Sequence, residues 1–364
     1  MGGLALMLVC AGSGLLRADP AEVRLATRPA RERVTLVLGV PPAAMVVEER
    51  AVALPKGPAR LDLAWSGTRL IADSVQVVPV EAQSPLKITG PLFPADLPQH
   101  AQWEIEAPAA VQARLRIMYL MDGLSWEPEY ALTYGPKGTL ALSAVAAVRN
   151  DTGEDFKQAR IDLGLSAPAI NDLEAGATLR VPYVEAPGVT GEAYYLYDAS
   201  ATNAETVRRL DLANTAGAGL GLAPLPAGKV RLYEGDEGQA LLRGEIILPY
   251  TPVGATAKLQ LGPAREISVE RRVIVSRQVD VKMDARGRPA LWNQEDEIAL
   301  LVKSQKNEAL TLRVAERIEG EWKMLANSCE FERKDAEHIE FIVPVPAHGE
   351  LTVTYKVRRL NILP

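Results

Sequence analysis

The sequence predicts an all-β protein made of consecutive antiparallel β-sandwich domains. Three observations carry that expectation. Apolar residues recur with a period of two, as on strands with one buried face. Turn residues punctuate those strands at short intervals. No stretch holds the 3.6-residue period of a long amphipathic helix. The 364 residues include 28 glycines and 26 prolines to make the reversals. Apolar residues reach 48% but aromatics only 5%, so the core is expected from Val, Leu, Ile and Ala.

From the N-terminus, residues 1–18 carry an apolar run, Leu4 to Leu16, that ends in Arg17-Ala18-Asp19-Pro20. The run suits a signal-peptide core and is too short to span a bilayer. Cleavage is expected after Ala18. No Lys or Arg precedes the run, as in a leader shortened at its start. Val9 before Cys10 argues against lipoprotein processing. Removal of the leader would leave Cys329 alone, so no internal disulfide is expected. This fits a periplasmic or extracellular protein held by its core. No later apolar stretch reaches transmembrane length.

Residues 19–115 are expected as an N-terminal β domain with Pro-rich joints such as TGPLFPADLPQ. Residues 116–262 form a middle β domain. In it, TLALSAVAAV places Leu140, Leu142, Ala144, Ala146 and Val148 on one face, and ARIDLGLSAP does so with Ile161, Leu163 and Leu165. A loop-rich excursion, residues 186–228, interrupts this domain, and its NAETVRRLDLAN (203–214) is the best helix candidate. Residues 263–364 have the size of an immunoglobulin-like sandwich. Their strands include IEFIVPV (Ile339, Phe341, Val343, Val345 inward) and LTVTYKV (Leu351, Val353, Tyr355, Val357 inward). YGPKGT, YEGDEGQ, DARGRP and VPAHGE supply turns. There is no internal repeat and no coiled coil.

The octapeptide RNDTGEDF, Arg149 to Phe156, contains Asp-Thr-Gly, the tripeptide of aspartic proteases. Such an enzyme needs two carboxylates sharing a proton in an apolar site. Here Arg149 and Asn150 precede Asp151, and no second such tripeptide follows. A turn between two strands explains the residues better. Asn150 and Asp151 can accept main-chain N–H groups two residues on. Gly153 can take positive φ. Phe156 folds back over the sheet, and Glu154 and Asp155 are expected in water. Asn150-Asp151-Thr152 is also a glycosylation sequon.

With GLSWEPEYALTY before it, the octapeptide resembles a family pattern: Trp-x-Pro-x-Tyr, a strand, Asn-x-Thr-Gly-Glu-Asp-Trp, then a strand ending in Ser-x-x-Pro. The matching residues are Trp126, Pro128, Tyr130, Asn150, Thr152, Gly153, Glu154, Asp155, Ser166 and Pro168. The pattern is that of the domain of unknown function 4139 family, also called mucoidy inhibitor A-like. LPAGKVRLYEGDEGQALLRGEIILPYTPVGATAKLQLGPAREISVERRV is similar to its second signature, and the resemblance runs from about Ala110 to Arg358. Phe156 stands where the family has Trp, and the coiled coil of many members is absent. The resemblance implies an exported envelope β-protein with an effect on surface polysaccharide. It supplies no catalytic residues.

Other chemistry finds little support. His100, His338 and His348 lack further ligands at zinc spacing, so no metal is expected. AGAGLGLAPLPAGKV is neither a dinucleotide loop nor a P-loop. No cofactor is expected. Glu234/Asp236/Glu237 and Glu295/Asp296/Glu297 lack calcium-loop spacing and read as solvated turns. The net charge of −6 gives no footprint for nucleic acid. Tyr194, Tyr195 and Tyr197 in the excursion, together with Trp126, are the candidate binding aromatics, although Trp126 also reads as a core plug.

The function expected is therefore non-enzymatic binding of an envelope protein or surface polysaccharide, through the excursion and an open sheet edge. The first alternative is a carbohydrate-active enzyme using Glu127, Glu154 or Asp155 beside Trp126. The second is an aspartic protease at Asp151.

Overall fold

A computed structural model describes residues 21–24, 30–39, 43–97, 99–135, 138–165, 167–202, 204–235 and 239–364. The expected leader, Cys10, Ser166, Asp236 and Glu237 lie outside the described residues. The fold is all-β, as the period-two pattern requires. The strands are β1 (Ala21–Arg24), β2 (Arg33–Val37), β3 (Ala44–Leu54), β4 (Gly57–Ala64), β5 (Gln76–Pro79), β6 (Lys87–Ile88), β7 (His100–Ala107), β8 (Val111–Met121) and β9 (Leu124–Tyr134). Next come β10 (Leu140–Asn150), β11 (Phe156–Asp162), β12 (Ala169–Leu173), β13 (Thr178–Val189), β14 (Gly191–Asp198), β15 (Thr206–Ala213), β16 (Gly228–Glu234), β17 (Leu241–Leu248) and β18 (Thr256–Pro263). The last are β19 (Ile267–Met283), β20 (Pro289–Ser304), β21 (Leu310–Arg317), β22 (Trp322–Asn327), β23 (Phe331–Arg333), β24 (His338–Val345) and β25 (Glu350–Ile362).

The chain forms two compact units, residues 1–127 with 146–181 and residues 128–145 with 182–364. Unit 1 has a four-stranded sheet A, order β1-β4-β7-β6, and a six-stranded sheet B, order β12-β11-β2-β3-β8-β5. Alternate residues of each are buried, including Leu61, Trp103 and Ile105 in sheet A and Leu36, Val46, Leu115 and Ile117 in sheet B. Most neighbours are antiparallel, but β1–β4 and β2–β11 run parallel. A parallel pair cannot be closed by a tight turn, so these strands meet only after long connections.

Unit 2 has three sheets: C (β13-β10-β9-β16-β17), D (β18-β15-β14-β21-β24-β23) and E (β19-β20-β25-β22). Sheet D serves two cores. Leu210, Leu212, Ala257 and Leu259 of β15 and β18 pack with Tyr130, Leu142, Val230 and Leu248. Leu312, Val314, Phe341 and Val343 of β21 and β24 pack with Ile298, Leu300, Val353 and Tyr355 of sheet E. One sheet thus joins strands from before and after residue 263, and the middle and C-terminal regions share it.

Two local expectations change. Residues 203–214 were the best helix candidate in a sequence with no convincing helix, and their described part holds the strand β15, whose Leu210 and Leu212 are fully buried at period two. A slot between β14 and β18 overrides the local helical pattern. Nearly half of the expected loop-rich excursion is likewise strand, in β13, β14 and β15.

Candidate binding site

The octapeptide is a turn organised by one amide. Asn150 is fully buried; its Nδ2 donates to the carbonyl oxygens of Glu154 at 2.8 Å and of Leu173 and Glu174 at 3.1 Å. Its Oδ1 accepts from Thr152 Oγ1 at 2.7 Å and Thr152 N at 3.1 Å. Thr152 Oγ1 in turn accepts from Glu154 N at 3.1 Å. Gly153 has φ +86°, and a Cβ there would meet Gly67 O at 2.6 Å. Phe156 is fully buried.

The two acids are not simply in water. Glu154 pairs with Arg31 at 2.9 Å, and Asp155 Oδ1 accepts from Ala175 N at 2.9 Å. Arg31 also lies over the Phe156 ring and bonds Glu48, a buried acid that Arg50 pairs from the other side. Tyr119 is buried beside this chain of charges, and burial drives its hydroxyl pKa far up. A buried ionic run of this kind fixes geometry more than it adds stability.

Neither enzymatic alternative finds its geometry here. Asp151 is partly exposed and bonded to Arg149 at 2.6 Å, where a proton-sharing acid must be buried beside a second carboxyl. Glu127 is exposed on β9, while Glu154 and Asp155 are committed to the contacts above. Trp126 is half-buried, and its Nε1 donates to Leu38 O at 3.1 Å.

The tyrosines, which the sequence left between binding and packing, lie on β14 inside sheet D. Tyr194 is 8% exposed; its hydroxyl meets Asp211 at 3.1 Å and Arg313 stacks on its ring at 3.9 Å. Burial pushes the Tyr194 hydroxyl up to about 12. Tyr195 is half-buried and receives Lys306 Nζ at 2.8 Å. Tyr197 is 7% exposed and lines a cavity of about 210 Å³ with Thr206, Arg265 and Ser268. None presents a free ring face for a sugar.

The acids at 295–297 were expected as solvated turn residues. They lie mid-strand in β20. Register places Arg277 of β19 beside Glu295, Glu295 beside Arg358 of β25, and Arg358 beside Lys323 of β22. This row crosses all four strands of sheet E on its outer face. The inner face is fixed by Val357 and Met324, which join the core. Glu295 is 3% exposed, covered by Arg277 Nη2 at 2.7 Å, Arg358 Nε at 3.0 Å and Lys356 Nζ at 3.1 Å. These three cations hold its carboxyl down at about 2.

Alternation sends the next residues inward. Asp296 meets Arg359 at 3.3 Å, and Arg271 binds the buried Glu316 at 3.0 Å. Burial pushes the Glu316 carboxyl up, against the pull of Arg271 and a hydrogen bond from Tyr355. Arg271, Arg317, Arg359 and Tyr355 border an open cavity of about 350 Å³ at this end of the sandwich. Each of these arginines already has a carboxylate, since Arg317 binds Glu337 at 3.0 Å.

Sheet E ends at β22 on one side and at the longer strand β19 on the other. The register of β19 breaks between Val273 and Val275 and again between Val279 and Lys282. Bulges and cationic side chains along an edge are devices against strand addition. The outer face, and not this edge, is therefore the surface to consider.

Among the described residues no group of three or more His, Cys, Asp or Glu is placed to hold a metal ion. His338 Nδ1 is occupied by Asp335 at 2.9 Å, and Glu234 by Arg243 at 2.9 Å. No described helix is long and apolar enough to cross a membrane. No protein-family model and no curated protein matches this sequence.

Proposed function

We propose that this chain is an exported, non-enzymatic protein of the cell envelope that works by binding, and that the outer face of sheet E is its contact surface. The observation that carries this reading is the row Arg277–Glu295–Arg358–Lys323, three cations to one carboxylate, on a chain of net charge −6. A concentration of one sign against an opposite background steers partners of complementary charge. The leader-like run at Leu4–Leu16 supports export, and the resemblance to the domain of unknown function 4139 family supports an envelope setting. Of the candidate catalytic carboxylates, Asp151, Glu154 and Asp155 are engaged in structural contacts, which favours binding over catalysis.

The test is affinity capture from solubilised envelope fractions with the full chain as bait, alongside a variant in which Arg277, Lys323, Lys356 and Arg358 are all Gln. Specific retention of an envelope component by the wild-type chain and its loss in the variant support the reading. Equal capture by both would place the contact surface elsewhere, and a chain that stays in the cytoplasm would refute export.

A further inference from the structure

The same face suggests what kind of ligand it takes. Resting on the binding reading above, we propose that Arg277, Arg358, Lys323 and Lys356 form a site for an acidic polysaccharide, a linear polymer with carboxylates on its sugar rings. Adjacent strands lie about 4.8 Å apart, so the four-strand row extends over about 14 Å. Arg277 is 58% exposed and Arg358 35%, and each spends only part of its five-donor fork on Glu295. The buried carboxylate thus acts as a post that holds both guanidinium groups in place with donors left over. Preorganised cations lose less freedom on meeting a ligand. Glu297 lies beside Lys356 in register and Asp280 pairs with Arg358 at 3.7 Å, so four cations face three acids, a local balance of +1.

Other polyanions fit less well. Protein contacts concentrate on aromatic anchors set in pockets. Register neighbours of the row such as Val275, Val279 and Ala326 are not aromatic. Single-stranded nucleic acid needs the same missing rings for base stacking. A duplex carries a charge about every 1.7 Å and would be repelled by a chain of net charge −6. A carboxylated polysaccharide has a sparser charge and asks only for a flat array of cations.

Glu295 gives the proposal a sign that a structural role does not. Glu295→Gln removes the negative charge from the centre of the row while its Oε1 can still accept from a guanidinium and keep the post, so it should tighten binding. Lys323→Gln, exposed at the end of the row, should weaken it. The probe is polygalacturonate, titrated against the full chain by calorimetry, with dextran, polyglutamate and single-stranded DNA in parallel. Polygalacturonate should bind, and with about three cations engaged its affinity should fall roughly tenfold or more between 50 and 200 mM NaCl. Lys323→Gln should weaken it about threefold, and Glu295→Gln should strengthen it by a similar factor, each with unchanged circular dichroism. Dextran should not bind. Affinity indifferent to both substitutions would overturn the site. Equal or tighter binding of polyglutamate or DNA would overturn the ligand class. No binding of polygalacturonate, while envelope capture still succeeds, would overturn this inference and leave the binding function standing.

Discussion

Replacing Asn150 should be among the most damaging single changes in unit 1, although its side chain is small and polar. Its amide reaches three carbonyl oxygens and accepts from Thr152 twice, with no exposure to solvent. Asn150→Ala takes away both amide protons and the oxygen. It leaves the carbonyl of the buried Leu173 and the hydroxyl of the buried Thr152 without that partner. At about 1 kcal/mol for each of the five bonds lost, the cost comes to about 5 kcal/mol. That is a large share of the 5–15 kcal/mol by which domains are ordinarily stable.

Asn150→Asp separates shape from hydrogen bonding. The new carboxylate would face the same three carbonyl oxygens, so burial and repulsion would raise its native-state pKa above the unfolded value of about 3.9. The folded chain would then bind the proton more tightly than the unfolded chain. Its deficit should be greatest at pH 7 and should shrink as pH falls through the raised value. Urea denaturation at pH 7 and pH 4.5, with amide exchange followed over residues 146–181, measures both effects. The neighbouring Asp151→Asn is the control: an exposed pair with Arg149 should cost under about 1 kcal/mol. If Asn150→Ala costs no more than that control, the amide does not organise the turn and the reasoning fails.

Three further outcomes follow from single contacts. The Glu295 carboxyl is held at about 2 by Arg277, Arg358 and Lys356, against about 4.3 when unfolded, so its contribution is whole above about pH 5 and is lost as pH falls through 2. Amide exchange in β19, β20 and β25 should quicken over that window, and Glu295→Gln should abolish the pH dependence. Gly153→Ala should cost about 2 kcal/mol in thermal or urea unfolding, because φ is +86° and the methyl would strike Gly67 O. Phe341→Ala should cost about 4 kcal/mol, since the ring is fully buried between Phe331 and Tyr355 at centroid distances of 5.8 and 5.0 Å. A loss below about 1 kcal/mol at Phe341 would mean that this core is not closely packed.

What the sequence discloses follows the range of the interactions involved. Leu140, Leu142, Ala144, Ala146 and Val148 are all buried, as are Ile339, Phe341, Val343 and Val345, because strand alternation is a local property. Gly153 takes positive φ and Asn150 accepts from Thr152 two residues on, for the same reason. Glu154 was expected in water because its counter-ion, Arg31, is 123 residues away in sequence. The tyrosines were expected on a loop because small and polar residues flank them, whereas hydrogen bonding to β15 and β21 draws them into a sheet. Glu295–Glu297 resembled a turn because nothing local shows that Arg277 and Arg358 arrive on either side. The one available signal was pattern: Gln294 to Ile298 lies between two apolar segments with no Gly or Pro to turn it.

The end of sheet E also shows how a charged row takes its register from the core on the opposite face. Two acids in succession, Glu295 and Asp296, face two arginines in succession, Arg358 and Arg359, on the neighbouring strand. Alternation gives each face one acid and one arginine: Glu295 with Arg358 outside, Asp296 with Arg359 inside. A slip of one residue would invert the faces of every side chain beyond it, bringing Val357 out of the core. Apolar burial therefore sets the register, and the ion pairs follow from it. The outer row inherits that constraint at Arg358 and Lys323, whose strands are packed on the other face, while Arg277 on the exposed strand β19 is held by Glu295. A cation array fixed in this way differs from mobile surface lysines, because its geometry is set before any ligand arrives.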